Sequence, residues 1–577
     1  MDSRSAAHTL THIASFLELH GEDRFKVRAY QQAARAVQAL DTDDLRPTIA
    51  DGTLAAAPGI GPAMLGVLTE LVETGHLTLL ERLRESTPEG LLEMLRVPGL
   101  GPAKIHQIHA GLEIETLQEL EAAARDGRLA SLPRFGPKTA EKILKGIAFL
   151  KETGALVLYP HGLAEGERLL AAVRQHPEVE RAELAGSLRR RRETVCDVDI
   201  VAACPRVPEL VAASFAHLPG VRQVTGGGTR SVSIQFVDGT RLDLHCVTPA
   251  RFAVALWRAT GSAEHVEAMR AAFAARGLTL VGDELRDGTG AAVPIPDERA
   301  LYASAGLAYV PPELREGRGE TEAAARDAVP RLVEVSDIQG VLHCHSNYSD
   351  GRASILEMAQ AAQARGWSYL GITDHSQSAF YAGGVTREQI VRQHAEIDEV
   401  NAALGGFRVL KGIEADILPD GRLDYDDAVL DRFDFVIGSI HSRFGMDERT
   451  MTDRVLTALD DPHLTVLGHP TGRLLLTREP YAIDMNAVLE KAGALGVAVE
   501  LNADPHRLDI DWRLLPTAKR YGALIEIGPD AHSPQGLDNL ALGVGVARKG
   551  WLEAADVLNA RSADALLDFA ARRRGAA

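Results

Sequence analysis

The stretch Tyr369-Leu370-Gly371-Ile372-Thr373-Asp374-His375 is a short apolar run that stops at a metal-type side chain. It belongs to a series within residues 336–577. Upstream lies Val341-Leu342-His343-Cys344-His345, and downstream come Val409-Leu410-Lys411-Gly412-Ile413-Glu414 and Phe435-Val436-Ile437-Gly438-Ser439-Ile440-His441. Val466-Leu467-Gly468-His469, Val497-Ala498-Val499-Glu500-Leu501-Asn502 and Leu524-Ile525-Glu526-Ile527-Gly528-Pro529-Asp530-Ala531-His532 complete it. Near-continuous apolar strands separated by amphipathic helices predict parallel strands buried on both faces. Ligand-type residues repeated at strand C-termini predict a (β/α)7-type barrel with its site on the top rim. One His after a strand is an ordinary polar end. Its recurrence, with Asp and Glu, at run after run points to a metal site.

A chain of 577 residues should hold three or more domains, here of a multidomain α/β class. No apolar stretch approaches membrane-spanning length, and Met1-Asp2-Ser3-Arg4 lacks a signal-peptide pattern. The four cysteines (Cys196, Cys204, Cys246, Cys344) form no CxxC pair and read as reduced thiols of a cytoplasmic protein. A net charge of −18 argues superficially against a nucleic-acid partner. Its distribution softens that objection, because residues 336–577 alone carry 24 Lys/Arg against 35 Asp/Glu. The acid is concentrated in the barrel, where bound cations would offset it. DNA binding must then rely on local basic patches and backbone donors, and be salt-sensitive.

Residues 1–150 read as wholly helical, with a recurring Pro/Gly turn between amphipathic segments. The copies are Pro58-Gly59-Ile60-Gly61-Pro62, Pro98-Gly99-Leu100-Gly101-Pro102 and Pro133-Arg134-Phe135-Gly136-Pro137. Glycines let backbone approach a ligand closely, and a helix start presents N–H groups and positive dipole to a phosphate. Lys104, Lys138 and Lys142 stand beside two of the copies. This is the helix-hairpin-helix pattern, a reader of DNA backbone in which contacts position without specifying bases. Gly59, Gly61, Gly99, Gly101, Lys104, Gly136 and Lys138 are the expected contacts.

Between 155 and 250 the pattern turns to short strands. Asp197 and Asp199 lie two apart on one of them, so both carboxylates face the same way, and Asp243 sits on a later strand of matching alternation. Three clustered carboxylates repel unless a divalent cation intervenes, and hard oxygen ligands suit Mg²⁺ or Mn²⁺. Gly186 and Ser187, with Arg189 to Arg192, supply a turn, a hydroxyl and guanidinium groups suited to a triphosphate.

Gly186-Ser187-Leu188-Arg189-Arg190 through Asp197-Val198-Asp199 resembles the nucleotide-binding palm signature of family X DNA polymerases. Phe25-Lys26-Val27-Arg28-Ala29-Tyr30 is similar to the N-terminal domain of that family. Thr260-Gly261-Ser262 resembles its thumb motif, and Pro311-Pro312-Glu313-Leu314-Arg315 the region closing the thumb. The barrel, with His343-Cys344-His345-Ser346 and Ser349-Asp350-Gly351, resembles the polymerase and histidinol phosphatase (PHP) domain. The combination is that of bacterial family X polymerases. The resemblance implies a helical N-terminal domain (1–85), helix-hairpin-helix fingers (86–150), a nucleotidyltransferase palm with a mixed sheet (151–250), a thumb (251–315), a linker (316–335) and a PHP domain (336–577).

It further implies that Asp197, Asp199 and Asp243 are catalytic metal ligands and that Gly186, Ser187 and Arg190 hold the incoming triphosphate. His343, His345, Asp350, His375, Glu414, His441, His469, Asp530 and His532 map to the PHP ligands, a mixed set that suits a Mn²⁺, Zn²⁺ or Fe²⁺ cluster. Arg443 and Arg473 are candidates for holding a phosphate, and Asp374 is expected to support ligands rather than ligate. The implied activities are gap-filling DNA synthesis in repair and 3′→5′ exonuclease cleavage, with abasic-site cleavage in addition. The implied partners are gapped or primer-template DNA and dNTPs, in a bacterial, nucleoid-associated setting; the absence of an obvious interface in the sequence suggests a monomer. Three positions depart from the family. Arg258 and Ala259 replace a tyrosine and its apolar partner at the sugar pocket. Val67 replaces the lysine used for deoxyribose-phosphate removal, and Cys196 replaces a glycine. An alternative reading keeps the PHP nuclease alone, the palm serving to hold DNA.

Overall fold

The computed structural model describes residues 3–575 apart from 39, 41, 43, 76, 96, 98, 134, 154, 155, 219 and 238, so Pro98 and Arg134 of the glycine turns lie outside the described residues. Two compact units result, residues 1–155 and 156–577.

The first unit is helical throughout its described residues. Pro62–Thr74, Pro102–Leu112 and Pro137–Thr153 each begin directly after a glycine turn. A proline at the first helical position costs nothing there, because its missing N–H would lack an intrahelical partner anyway. Gly59 and Gly99 take φ of +93° and +79°, a region in which a side chain would be strained. The lysines expected to touch phosphate are exposed at Lys104, Lys138 and Lys142. Lys104 also donates to Gly99 O at 2.9 Å. Val67 is partly buried against the apolar core of this unit.

The second unit opens with a ribbon of β1 (Val157–Leu158) and β3 (Thr194–Val195). Its five-stranded palm sheet contains β2 (Arg181–Leu184), β4 (Val198–Ala203), β5 (Val221–Gly228), β6 (Ser231–Phe236) and β7 (Arg241–Val247). The order is β2-β4-β7-β6-β5, with β4 and β7 parallel and the other pairs antiparallel, which is the mixed sheet expected. Alternation in Ser231–Phe236 buries Val232, Ile234 and Phe236 on one face. A thumb follows, with helices Phe252–Thr260, Ala263–Ala275 and Glu298–Ser304 and a hairpin of β8 (Thr279–Val281) and β9 (Glu284–Arg286).

Seven parallel strands come last, paired in chain order: β10 (Gly340–Val341), β11 (Tyr369–Ile372), β12 (Arg408–Asp416), β13 (Phe435–Ser439), β14 (Leu464–Leu467), β15 (Ala498–Asn502) and β16 (Ile525–Gly528). The bridge between Cys344 and Ala531 joins the continuations of β10 and β16. Below it the Asn559 side chain donates to Gly340 O and Ile527 O, both at 3.0 Å, and accepts from Ile527 N, so one amide stitches the seam. Leu342, Tyr369, Leu410, Phe435, Ile437 and Val466 fill the interior. Gly371 and Gly412 make room for Phe435, since a Cβ at either would lie 2.5 or 2.4 Å from its ring.

The polar segment expected as a linker is packed where it leaves the thumb. Arg315 and Glu320 are fully buried, and Arg315 pairs with Glu298 at 2.5 Å. Glu316 accepts from Arg190 at 2.9 Å and also from Lys549 of the helix Leu540–Lys549. Glu320 meets His265 Nδ1 at 2.7 Å, while Arg318, Glu322, Arg326, Asp327, Arg331 and Glu334 of the same segment are exposed.

Two candidate metal sites

In the palm, parallel pairing sets Asp199 opposite Asp243, and Asp197 enters the same strand one residue before β4. Burial, then the charges of Asp197 and Asp243, push the Asp199 carboxyl up to about 7, with Arg190 pulling the other way. The expected trio is therefore gathered. Ser233 on β6 donates to Asp243, and the Cys196 thiol donates to Asp197 Oδ2 at 3.1 Å. Burial and that carboxylate raise the thiol to about 11.

Gly186 lies against this trio. Its φ is +57°, and a Cβ there would meet Asp199 Oδ2 at 1.7 Å, so only glycine fits. The neighbouring Ser187 hydroxyl is buried without a hydrogen-bond partner. The arginines behave differently from the expected guanidinium cluster. Arg189 forms two bonds with Glu298, at 2.8 and 2.7 Å, while Arg191 and Arg192 face Glu313 and Glu316 at 3.9 and 3.6 Å. Arg190 donates to Glu316 and, at 2.6 Å, to Thr260 O of the thumb motif. Most of the run cements palm to thumb, and Arg190 is the member whose charge bears on Asp199. Arg258 pairs with Asp283 at 2.7 Å, and Asp283 also meets His245 at 2.9 Å.

On the barrel rim all nine expected ligands converge. Three sets of ligand atoms lie close enough to share an ion: His345, Asp350, His375 and His532; His343, His345 and Asp530; His375, Glu414 and His441. His469 joins through Nε2, 3.0 Å from Glu414 Oε1. Buried atoms without a hydrogen bond include His343 Nε2, both nitrogens of His345 and His469 Nδ1. His375 Nδ1 and Glu414 Oε2 stand 2.8 Å apart yet are not aligned for a hydrogen bond. Buried polar groups are normally satisfied, so this concentration of orphan lone pairs fits divalent cations. His469 and Asp530 have φ of +23° and +49°, backbone strain placed at the site itself.

The local field is mixed. Burial opposes charge on His375, but Glu414 and Asp350 outweigh it and hold the ring at about 10. His441 and His532 are each raised to about 9 by carboxylates that overcome burial. Burial, with His532 and His375 nearby, brings His345 down to about 3. The surrounding histidines hold Glu414 well below the usual carboxylate range despite its burial.

Several contributors escaped sequence reasoning. Glu500 accepts from His343 Nδ1 and from His469 N, both at 2.5 Å, and Asp416 meets His441 Nδ1 at 2.7 Å. Asp416 ends β12 two residues beyond Glu414, so strand-end position was its available signal, whereas Glu500 is an acidic residue in the middle of β15. Asp374 receives Ser346 N, Ser346 Oγ, Ser349 Oγ and Gln393 Nε2, so its oxygens are engaged by neighbours of the expected ligands. Arg473 is tied to Asp511, Arg507 O and Leu508 O and only 7% exposed, which makes it structural rather than a phosphate holder. Arg443 is exposed at the rim with φ +62°. Arg507, unnoticed in the sequence, stands 3.6 Å from Asp530, its guanidinium free of hydrogen bonds among the described residues. His506 is exposed beside Asp504.

This architecture defines a polymerase-type palm and thumb joined to a phosphoesterase-type barrel, preceded in the chain by helix-hairpin-helix modules. Comparisons agree segment by segment. Residues 1–77 match the helix-hairpin-helix domain, 91–148 the SAM-like helix-hairpin-helix tandem, 255–316 the DNA polymerase beta thumb and 342–503 the PHP domain. The DNA polymerase/3′-5′ exonuclease PolX of Bacillus subtilis (strain 168) is 38% identical over 97% of this chain and 98% of its own. A probable phosphatase of Caldanaerobacter subterraneus subsp. tengcongensis is 28% identical over 33% of this chain and 74% of its own. Another, of Syntrophotalea carbinolica, is 26% identical over 40% of this chain and 94% of its own. The chain belongs to the PolX family of family X DNA polymerases with a C-terminal PHP domain.

Proposed function

We infer that the protein is a DNA polymerase and 3′-5′ exonuclease whose two activities reside in the palm and on the barrel rim. The observation that carries this reading is the presence of two separate carboxylate-rich sites in one chain, at Asp199 and at Glu414. In the palm, Asp197, Asp199 and Asp243 would hold Mg²⁺ or Mn²⁺. Gly186 brings backbone close to a triphosphate, Ser187 offers its hydroxyl and Arg190 its charge. On the rim, the imidazoles and carboxylates would hold a Mn²⁺, Zn²⁺ or Fe²⁺ cluster. Cations in either site would neutralise charge that develops on the reacting phosphoryl oxygens. Arg507 and Arg443 orient the phosphate, while Glu500, Asp416 and Asp374 fix ligand geometry.

Gapped or primer-template DNA and dNTPs are the proposed substrates, with gap filling in repair as the role and abasic-site cleavage as an added capacity of the rim. DNA is held by the glycine turns and by Lys104 and Lys138. No lyase chemistry runs through Val67, which has no amine. No described helix is long and apolar enough to cross a membrane. The proposed domains are those given above, with Glu316 at the start of the 316–335 linker tied to both Arg190 and Lys549.

The test is a labelled gapped duplex incubated with and without dNTPs and Mn²⁺, using wild type and Asp197→Ala. Extension by wild type and none by the variant supports the palm reading. Equally poor extension by both leaves the palm as a DNA holder, a reading favoured by Arg258 at the sugar pocket.

A further inference from the structure

Next to the rim site is a loop whose tip the nuclease reading leaves without a task. Phe380 is 85% exposed and Tyr381 70%, although both are large aromatic side chains. Such exposure is costly in a water-facing protein and usually marks a contact surface. The Tyr381 ring lies 6.0 Å from that of His375 and 6.1 Å from that of His441, both expected ligands.

The loop is fixed at its base. Ser376 and Val385 form a parallel bridge, and Val385 N donates to His375 O at 2.8 Å. Gln377 N donates to Tyr425 Oη at 3.0 Å, Ser378 N to Asp424 Oδ2 at 2.7 Å, and Tyr425 Oη to Val385 O. Gly384 is pressed so closely on Ser376 O that a Cβ would come within 1.9 Å of it. A tip braced in this way presents its rings with little ordering left to do on binding.

We propose that Phe380 and Tyr381 form a stacking platform for the 3′-terminal nucleobase of a strand whose last phosphodiester lies in the rim site. Every base has a π-face, so such a platform tolerates any sequence, as a degrading activity requires. A base can lie on it only after leaving its duplex neighbour. The inference rests on the rim being the nuclease.

The experiment uses the full chain with Mn²⁺ and 5′-labelled single strands ending in either a normal nucleotide or an abasic tetrahydrofuran residue. KM and kcat are read for release of the last residue. Stacking is worth roughly 1–3 kcal/mol per base, so wild type should show a KM about tenfold lower for the base-bearing end. Phe380→Ala/Tyr381→Ala should compress that ratio to about twofold or less, with Phe380→Trp/Tyr381→Trp restoring it. A ratio unchanged in the alanine pair, or absent from wild type, overturns the platform. His345→Ala separates the two failures. If it still digests ends, the nuclease reading falls and the platform with it. If digestion is lost while the alanine pair keeps its base preference, the platform alone falls.

Discussion

The palm and rim sites both gather carboxylates, but they balance them differently. In the palm, three aspartates face one nearby guanidinium, that of Arg190, and the Asp199 carboxyl is pushed up to about 7. On the rim, three carboxylates are interleaved with six imidazoles, and Glu500 and Asp416 brace the rings of His343 and His441 from behind. The rim is thus held in shape by its own side chains, whereas the palm trio repels itself and is completed by what it binds. A ligand cage supported by outer hydrogen bonds is rigid. A repelling trio is strongly responsive to cations and triphosphate.

The largest expected effect tests whether the rim is a single unit. Asp530 lies 3.6 Å from His343 and 3.3 Å from His345 and accepts from Asn502 at 3.0 Å. Asp530→Ala should abolish 3′-end digestion, while DNA binding in a filter assay stays within about threefold, because phosphate contacts elsewhere supply the affinity. Retained digestion would place the nuclease somewhere other than the rim.

The palm is best broken through its glycine. Gly186→Ala drives a methyl into Asp199 at a backbone φ of +57°. Primer extension should drop by about two orders of magnitude, since misplacing one ligand by an ångström has such consequences. Exonuclease activity should survive. Equal loss of both would mean that Gly186 serves the fold of the whole second unit.

A third change sharpens the comparison by asking how the sites are joined. Lys549, fully buried, donates to Arg190 O at 3.2 Å and pairs with Glu316, which also holds the Arg190 guanidinium. A PHP-domain lysine thereby helps to place a palm arginine. Lys549→Met should raise KM for dNTPs about tenfold with kcat little changed, and Lys549→Arg should recover part of it, in line with the ~3–5 kcal/mol cost of leaving a buried charge unpaired being shared across the network. A fall in kcat alone would argue against the coupling.

How much of this could be read from the chain depends on where each residue gets its role. The rim was legible because strand ends are marked in sequence: His343, His375, His441 and His469 each follow an apolar run. The palm trio was legible through alternation, which puts Asp197 and Asp199 on one side. Glu500 lies mid-strand in β15 and supports rings instead of completing an ion site as Glu414 does, a difference set by three-dimensional packing. Arg191, Arg192 and Arg473 misled for a related reason. A guanidinium's partner is chosen by tertiary proximity, and theirs are Glu313, Glu316 and Asp511. The segment 316–335 looked like a linker because it is polar; Glu316 and Glu320 at its start find tertiary partners in Lys549 and His265, whereas its later charges are exposed.

The smallest effect concerns a change that both sites should feel alike. Lys138 is exposed at the start of the helix Pro137–Thr153, directly after Gly136, where its charge adds to the positive end of the helix dipole. Each phosphate neutralised releases condensed counterions, so Lys138→Ala should reduce the slope of log Kd against log salt by about one unit and weaken binding a few-fold whatever the sequence. Extension and digestion should then decline together at limiting DNA and recover together at saturating DNA, because the lesion lies in holding the substrate rather than in either chemistry. If only extension responds, these turns serve the palm alone, and the rim reaches its strands through contacts of its own.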